Sequence, residues 1–255
     1  MPAQTVPKVP PRLPLRAPCV LAFDTSTDRL ALGLQGAAGP FTVLAEGGAA
    51  ASATLLPHIH ALLAQAGLRL ADVDAIAFGR GPGAFTGLRT ACAVAQGLGL
   101  GLARPLLPID SLLIVAEDAR AQVAAQAPRF DVGVAMDARM DEVYAGRYRW
   151  QAGRWRVLQA PALYSLPALA EAWSGEARQA LAGSALAAFG PRLALPAGCP
   201  RVASECDRAG ALLRLALLAA LAGEGVDAAA GLPLYLRDKV ALTTSEREAA
   251  RTVAT

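Results

Sequence analysis

Histidine is nearly missing from this 255-residue chain, which has only His58 and His60. The four cysteines, Cys19, Cys92, Cys199 and Cys206, form no C-x-x-C pair, so a zinc centre has few donors to draw on. The two histidines fall inside a helical pattern. Residues two apart on a helix point about 200° away from each other, whereas a chelating pair needs a spacing of three or four. No metal site is therefore expected, and the cysteines read as inert thiols of a reducing compartment. No histidine stands beside an activated Ser or Cys, so no nucleophilic centre is expected, and no catalytic residue or cofactor is assigned. Aromatics are also scarce, at 5% against 54% hydrophobic residues. The core must then be built from Ala, Leu and Val, which suits helices packed closely on a sheet. No apolar run is long and clean enough to span a bilayer. The best, residues 209–223, carries Arg214. The N-terminus is Pro-rich without the apolar core of an export signal, and the expected location is the cytoplasm.

Charge of concentrated sign is lacking as well. The formal net charge is +3, and residues 1–17 supply it through Lys8, Arg12 and Arg16 with no acid. The rest of the chain is close to neutral. A domain that grips RNA by itself should carry a concentrated basic footprint, and none is expected here.

What is present is glycine in one place. Gly79-Arg80-Gly81-Pro82-Gly83-Ala84-Phe85-Thr86-Gly87 lies between an apolar strand pattern over 73–78 and a helical pattern running to about residue 103. The loop must turn sharply and allow close approach, and Thr86 is expected to cap the helix. Such a loop can receive an anion at a helix N-terminus. However, no Lys-Ser or Lys-Thr follows it, and its spacing misses G-x-G-x-x-G by one residue.

Around this loop the pattern predicts strands at 19–24, 29–35 and 41–46, a helix at 52–66, a strand at 73–78, the helix from residue 87 and a strand at 106–109. That order, βββαβαβ, is the ribonuclease-H-like unit. After a connecting helix at 111–124 the plan repeats, with strands at 132–137, 142–149 and 154–159 and a very apolar helix at 208–222. Asp24 and Asp137 close the first strand of each half. We therefore expect an α/β protein with two ribonuclease-H-like lobes, the duplication of the actin, Hsp70 and sugar-kinase superfamily. The expected divisions are a flexible leader over 1–17, lobes over 18–109 and 110–240, and a polar tail over 241–255. Phosphate hairpins of that superfamily usually place glycine soon after the Asp. Here 24–27 and 137–140 contain none, and no Gly-Gly pair marks an adenosine loop in the second half. Asp24 and Asp137 are accordingly read as turn-capping residues.

Five segments resemble the bacterial TsaB (YeaZ) family. They are Leu21 to Thr27 with Asp24, Leu55-Leu56-Pro57, the glycine loop (Arg80, Gly81, Pro82, Gly83, Thr86, Gly87) with Gly97-Leu98, Asp137 to Tyr144 (with Arg139 and Glu142), and Leu234-Tyr235-Leu236-Arg237. They occur in the family's order along nearly the whole chain after residue 17. One departure is Ala51, where family members often carry a histidine. The resemblance implies a non-catalytic dimerisation subunit of the machinery that forms N6-threonylcarbamoyladenosine beside the anticodon of tRNAs reading codons that start with adenine. It implies a catalytic partner, TsaD, an ATPase, TsaE, self-association when alone, and contact with tRNA only through the complex. The alternative is an autonomous superfamily enzyme, an ATP-dependent kinase or a glycoprotease-like peptidase.

The first two helices carry the expected partner surface. Leu55, Leu56, Ile59, Leu62, Leu63 and Ala66 share one face. From 88 to 103 the only polar side chains are Arg89, Thr90 and Gln96, so this helix should be covered on more than one side. Gly97, Gly99 and Gly101 would admit a neighbouring backbone, at about 1 kcal/mol each in helix propensity. The cover is either the chain's own second half or final helix, or another subunit. By the resemblance the partner-facing residues are drawn from Leu55, Ile59, Leu62, Leu88, Cys92, Val94, Ala95 and Leu98, and Ala95→Asp is expected to abolish association while leaving the fold intact.

Overall fold

A computed structural model describes residues 18–175, 178–195 and 198–237; the expected leader over 1–17 and the tail over 241–255 lie outside them. Strand β1 (Val20–Asp24) is buried along its whole length, as its unbroken apolar run requires of a central strand. It pairs antiparallel with β2 (Arg29–Gly36), and β2 pairs antiparallel with β3 (Gly39–Glu46). Helix α1 (Ala51–Gln65) crosses to β4 (Ala75–Gly81), which lies parallel to β1. Helix α2 (Phe85–Leu102) then returns the chain to β5 (Leu106–Asp110), parallel to β4. The sheet order is β3-β2-β1-β4-β5.

Helix α3 (Ser111–Val123) leads to β6 (Arg129–Asp137), and β7 (Glu142–Gln151) and β8 (Arg154–Ser165) extend it antiparallel. Helix α4 (Leu166–Ala172), β9 (Ala180–Ala182), α5 (Ala185–Phe189) and β10 (Arg201–Val202) follow. The order β10-β9-β6-β7-β8 is the first sheet's order read from the other edge, with the parallel pairs again on the far side of the first strand. The expected duplication is therefore present strand for strand.

The lobes are not independent along the chain. Helix α6 (Arg208–Ala222) falls inside the expected second lobe but packs through Ala211, Leu212, Leu215 and Ala216 against Val20, Ala22, Ala75 and Ala77 of the first sheet. Its small residues permit that close seat. The layers run α1 and α2, first sheet, α6 and α3, second sheet, α4 and α5. No helix among the described residues is long and apolar enough to cross a membrane.

Candidate functional site: the cleft between the lobes and the outer helix pair

A cleft of about 740 Å³ opens between the lobes, lined by the turns after β1 and β6, the glycine loop, Arg208 and the segment 234–237. Asp24 lies beneath its floor, fully buried. Its Oδ1 accepts hydrogen bonds from the Ser26 backbone N–H (3.0 Å), the Ser26 hydroxyl (2.7 Å) and the Arg208 Nη2 (3.1 Å), while Oδ2 accepts from the Ser111 hydroxyl (2.9 Å). Burial alone would raise the Asp24 pKa, but the Arg208 charge and the Ser26 and Ser111 hydroxyls outweigh it, and the net direction is down. Arg208 is 4% exposed and also donates to Glu205 (2.5 Å) and Ser26 (3.0 Å). Burial opposes its charge, but the carboxylates of Asp24 and Glu205 hold the guanidinium firmly protonated. Across the cleft the charges balance: Asp24, Asp28, Asp137 and Glu205 stand against Arg29, Arg139, Arg208 and Arg237.

The glycine loop fits against this turn. A Cβ at Gly79 would overlap the Asp24 carboxylate, one at Gly87 the Thr25 carbonyl, and one at Gly83 would lie 2.5 Å from the Ser26 carbonyl. The Thr25 hydroxyl donates to the Gly87 carbonyl (2.7 Å) and the Ala84 N–H to the Ser26 carbonyl (2.7 Å). The Gly81 N–H donates to Ser111 Oγ (3.1 Å), and the Gly81–Pro82 bond is cis. The close approach that the glycines signal is thus to the chain's own β1 turn. Thr86 is not the cap that the sequence predicts. The N-cap is Ala84, which makes no side-chain cap bond, because the Ser26 carbonyl takes its N–H and starts the helix two residues earlier.

In the second lobe Asp137 makes the same local bond, accepting from the Arg139 N–H (2.8 Å), with Arg139 also 3.4 Å from its Oδ2. Arg139, Met140 and Asp141 all have positive φ, between 55° and 66°, conformations costly for side chains other than Gly, Asn or Asp. Arg237 holds this turn, donating to the Ala138 carbonyl (3.0 Å) and to Glu142 (2.6 Å). The segment carrying Arg237 is a strap. The Leu234 N–H donates to the Arg80 carbonyl (2.7 Å), Arg89 donates to the Tyr235 hydroxyl (3.2 Å), and the Tyr235 ring meets Phe85 at 5.2 Å. The strap joins the first lobe's glycine loop to the second lobe's turn. Tyr144 lines the cleft, whereas Arg80 does not. Arg80 acts instead by its charge on Asp110, whose pKa burial pushes up although Tyr148 donates to it at 2.6 Å.

Ser111, Glu205 and Arg208 were not singled out in the sequence. Arg208 carried one signal: a cation in the first turn of a helix opposes the macrodipole and needs a carboxylate partner. Among the described residues no group of three or more His, Cys, Asp and Glu could hold a metal ion.

The outer helix pair corrects the expected partner residues. Leu55, Ile59, Leu62, Cys92 and Ala95 are all buried, packed on Phe23, Leu32 and Phe78 of the first sheet, and Leu88 is buried at the cleft beside Gly81, so none of them can face another subunit. Val94 and Leu98 sit half-buried at the margin. An apolar stripe read from sequence marks the inward face first, and Ala95→Asp would therefore break the core instead of an interface. The outward face carries Ala53 and Leu56 (44% exposed) on α1, with Ala93, Gly97 and Leu100 (79% exposed) on α2. A Cβ at Gly97 or Gly101 would meet nothing. The final helix α6 lies on the other face of the sheet, and α2 is covered in part by the segment after it, whose Gly231 carbonyl accepts from Cys92 and Gln96.

Fold and cleft define a two-lobed protein of the ribonuclease-H-like, actin and sugar-kinase type, and residues 48–241 match the family model described as TsaD: tRNA N6-adenosine threonylcarbamoyltransferase. Within that class the similarity is to one branch. YeaZ from Pseudomonas aeruginosa is 39% identical, with a TM-score of 0.75 over 86% of this chain and 100% of that one. The tRNA threonylcarbamoyladenosine biosynthesis protein TsaB of Haemophilus influenzae is 42% identical over 127 residues, 49% of this chain and 51% of the relative. Its Escherichia coli counterpart is 40% identical over 95 residues, 37% and 39% of the two chains. The matched segment spans about half the length of these curated relatives, or less. The chain belongs to the TsaB (YeaZ) family.

Proposed function

We propose that this chain is a non-catalytic subunit of the cytoplasmic machinery that builds N6-threonylcarbamoyladenosine beside the anticodon of tRNA, docking a TsaD-type catalytic subunit. Family membership supports the pathway. The non-catalytic reading rests on one observation, the burial of Asp24 under Arg208. An Asp at this position would have to face a phosphate-bound cation in a kinase of the same architecture. Here it is committed to a guanidinium and two hydroxyls, which occupy both carboxylate oxygens and leave neither for a phosphate-bound cation. The autonomous kinase or peptidase gains no support from any contact in the cleft.

The docking surface is the outward face of α1 and α2, with Leu56 and Leu100 as apolar anchors and Ala53, Ala93 and Gly97 allowing close helix approach. Without TsaD the same face self-associates, and a TsaE-type ATPase joins the assembled pair.

Two measurements test this reading. Deleting the gene should remove the modified nucleoside from bulk tRNA, and the chain should restore it; modification that persists without the chain sinks the pathway assignment. Leu100→Asp should leave the unfolding midpoint unchanged and weaken TsaD binding at least tenfold, about 1.4 kcal/mol. Unaltered co-elution would move the interface elsewhere.

A further inference from the structure

The charge of this chain is near neutral in total but not in distribution. Between Glu142 and Glu171 there are four arginines, Arg147, Arg149, Arg154 and Arg156, and no acid. Strands β7 and β8 place them together. Arg149 lies directly opposite Arg156 and Gln151 opposite Arg154, while Arg129 and Asp131 of β6 lie opposite Gln151 and Arg149. Side chains facing each other across a ladder share one face of the sheet, so Arg129, Arg147, Arg149, Arg154 and Arg156 form one surface. Along a strand they recur every ~7 Å and across strands every ~5 Å.

That face is uncovered at this end. Helices α4 and α5 cover the other end, where Ala135, Val143 and Trp173 pack, and Arg178 caps Trp173 at 5.0 Å. Asp131 is the one acid within the patch, and it is bound on two sides, by Arg149 (2.7 Å) and Arg129 (2.9 Å). The hydrogen bonds from Arg149, assisted by Arg129, pull its pKa down to about 2. The trio therefore keeps a net positive charge and a fixed geometry. Arg154 and Arg156 are exposed and make no hydrogen bond or ion pair among the described residues. Trp150 and Trp155 point to the opposite face, where they meet Arg120 and Glu117, so the surface offers guanidinium groups without a stacking platform.

We propose that this arginine face binds the phosphate backbone of RNA, giving the chain its own contact with tRNA. The chemistry favours phosphodiesters, since guanidinium pairs bidentately with phosphate and every cation here is arginine. With no exposed aromatic ring on the face (Trp173 is fully buried), recognition is of backbone and shape, independent of base sequence. The layer order makes the contact compatible with assembly: the arginine face lies beyond the second sheet, and the outer face of α1 and α2 lies beyond the first. A subunit docked on one leaves the other open. The proposal rests on the tRNA-modification reading only for the identity of the RNA.

The test uses the full chain, labelled bulk tRNA and a salt titration, with TsaD binding measured in parallel. Arg154→Gln/Arg156→Gln should bind tRNA more weakly, and the slope of log affinity against log salt should shallow by about one unit per arginine. Arg69→Gln, which removes an exposed charge from the first lobe, should leave that slope unchanged. If the double variant keeps the wild-type slope, the arginine face is not the RNA contact, and the docking reading stands or falls on its own TsaD measurement. Equal affinity for polyglutamate or for phosphatidylserine vesicles would show general polyanion binding and overturn the assignment to RNA.

Discussion

The two lobes solve the same local problem at the end of their first strand, and with opposite surroundings. Asp24 and Asp137 each turn a carboxylate back on the N–H two residues later, at 3.0 and 2.8 Å. Around Asp24 everything is buried: Arg208 arrives from the final helix, Ser111 from the start of α3, and the glycine loop presses on the turn. Around Asp137 the turn stands in solvent with three residues in the left-handed region, held by Arg237 from outside. A duplicated backbone device thus serves as the keystone of one lobe and as a peripheral latch in the other. Burial decides which, because a charge–charge contact gains strength, and its loss becomes more costly, as water is removed.

The sharpest way to break this comparison is Arg208→Ala. It leaves Asp24 and Glu205 facing each other without a cation, and removing one partner of a buried pair costs about 3–5 kcal/mol. Asp137→Asn, at the exposed turn, should cost about 1 kcal/mol or less. Urea denaturation of the two variants reads the difference; equal midpoints would show that the lobes are not so distinguished. The pH dependence follows from the lowered Asp24 pKa. An acid whose folded pKa lies below its unfolded one contributes its full stability above the unfolded value, near 3.8. That contribution is lost as pH falls through the folded value. Acid unfolding of the wild type should therefore begin below pH 3.8 at this group, and the Arg208→Ala variant should begin to unfold at higher pH. Replacing both partners, as Asp24→Asn/Arg208→Met, should recover part of the single variant's loss.

This contrast was only half legible in the sequence. Hydrophobic runs such as Val20 to Phe23 and the spacing of the apolar helices gave the strands of the first lobe and the first three of the second, because burial on two faces leaves a continuous apolar signature, whereas the short β9 and β10 were not legible. Four of the five motifs pointed to the cleft, since the turn after Asp24, the glycine loop, Asp137 and Arg237 all line it, whereas Leu55-Leu56-Pro57 sits on α1. What was not legible was contact across long separations. Arg208 lies 184 residues from Asp24, and no periodicity links them. The same limit explains the helix pair: the inward and outward stripes of α2 are both apolar, so composition alone could not say that Ala95 faces the core and Leu100 the solvent. The arginine cluster at 147–156 was readable in principle, but a net charge taken over the whole body concealed it.

The strap gives the next, smaller effect. Arg237→Ala removes bonds to Ala138 and Glu142 from a guanidinium 15% exposed. A partly buried charged hydrogen-bond donor of this kind is worth roughly 1–2 kcal/mol. The loss should be local. Amide exchange should accelerate over 137–142 and leave the Asp24 turn protected, because the two turns share no bond. Acceleration at both would mean that the strap holds the lobes as one unit.

The smallest effect is the most specific to the comparison. If the second turn is a strained surface latch, relieving its strain should stabilise the protein, something no change at the Asp24 turn can do. Met140 has φ of 57° and is 64% exposed. A side chain in the left-handed region costs roughly 1–2 kcal/mol, and glycine's extra freedom in the unfolded chain returns about 0.5–1 of that. Met140→Gly should therefore gain about 0.5 kcal/mol by chemical denaturation, the low end of that difference, because it also removes the contact of Arg237 with the Met140 sulfur (2.8 Å). Gly79→Ala should move the other way, because its new methyl group would enter the space of the Asp24 carboxylate. Stabilisation at one turn and destabilisation at the other separates strain from packing. Two losses would place the left-handed run inside the lobe's packing instead of at its rim.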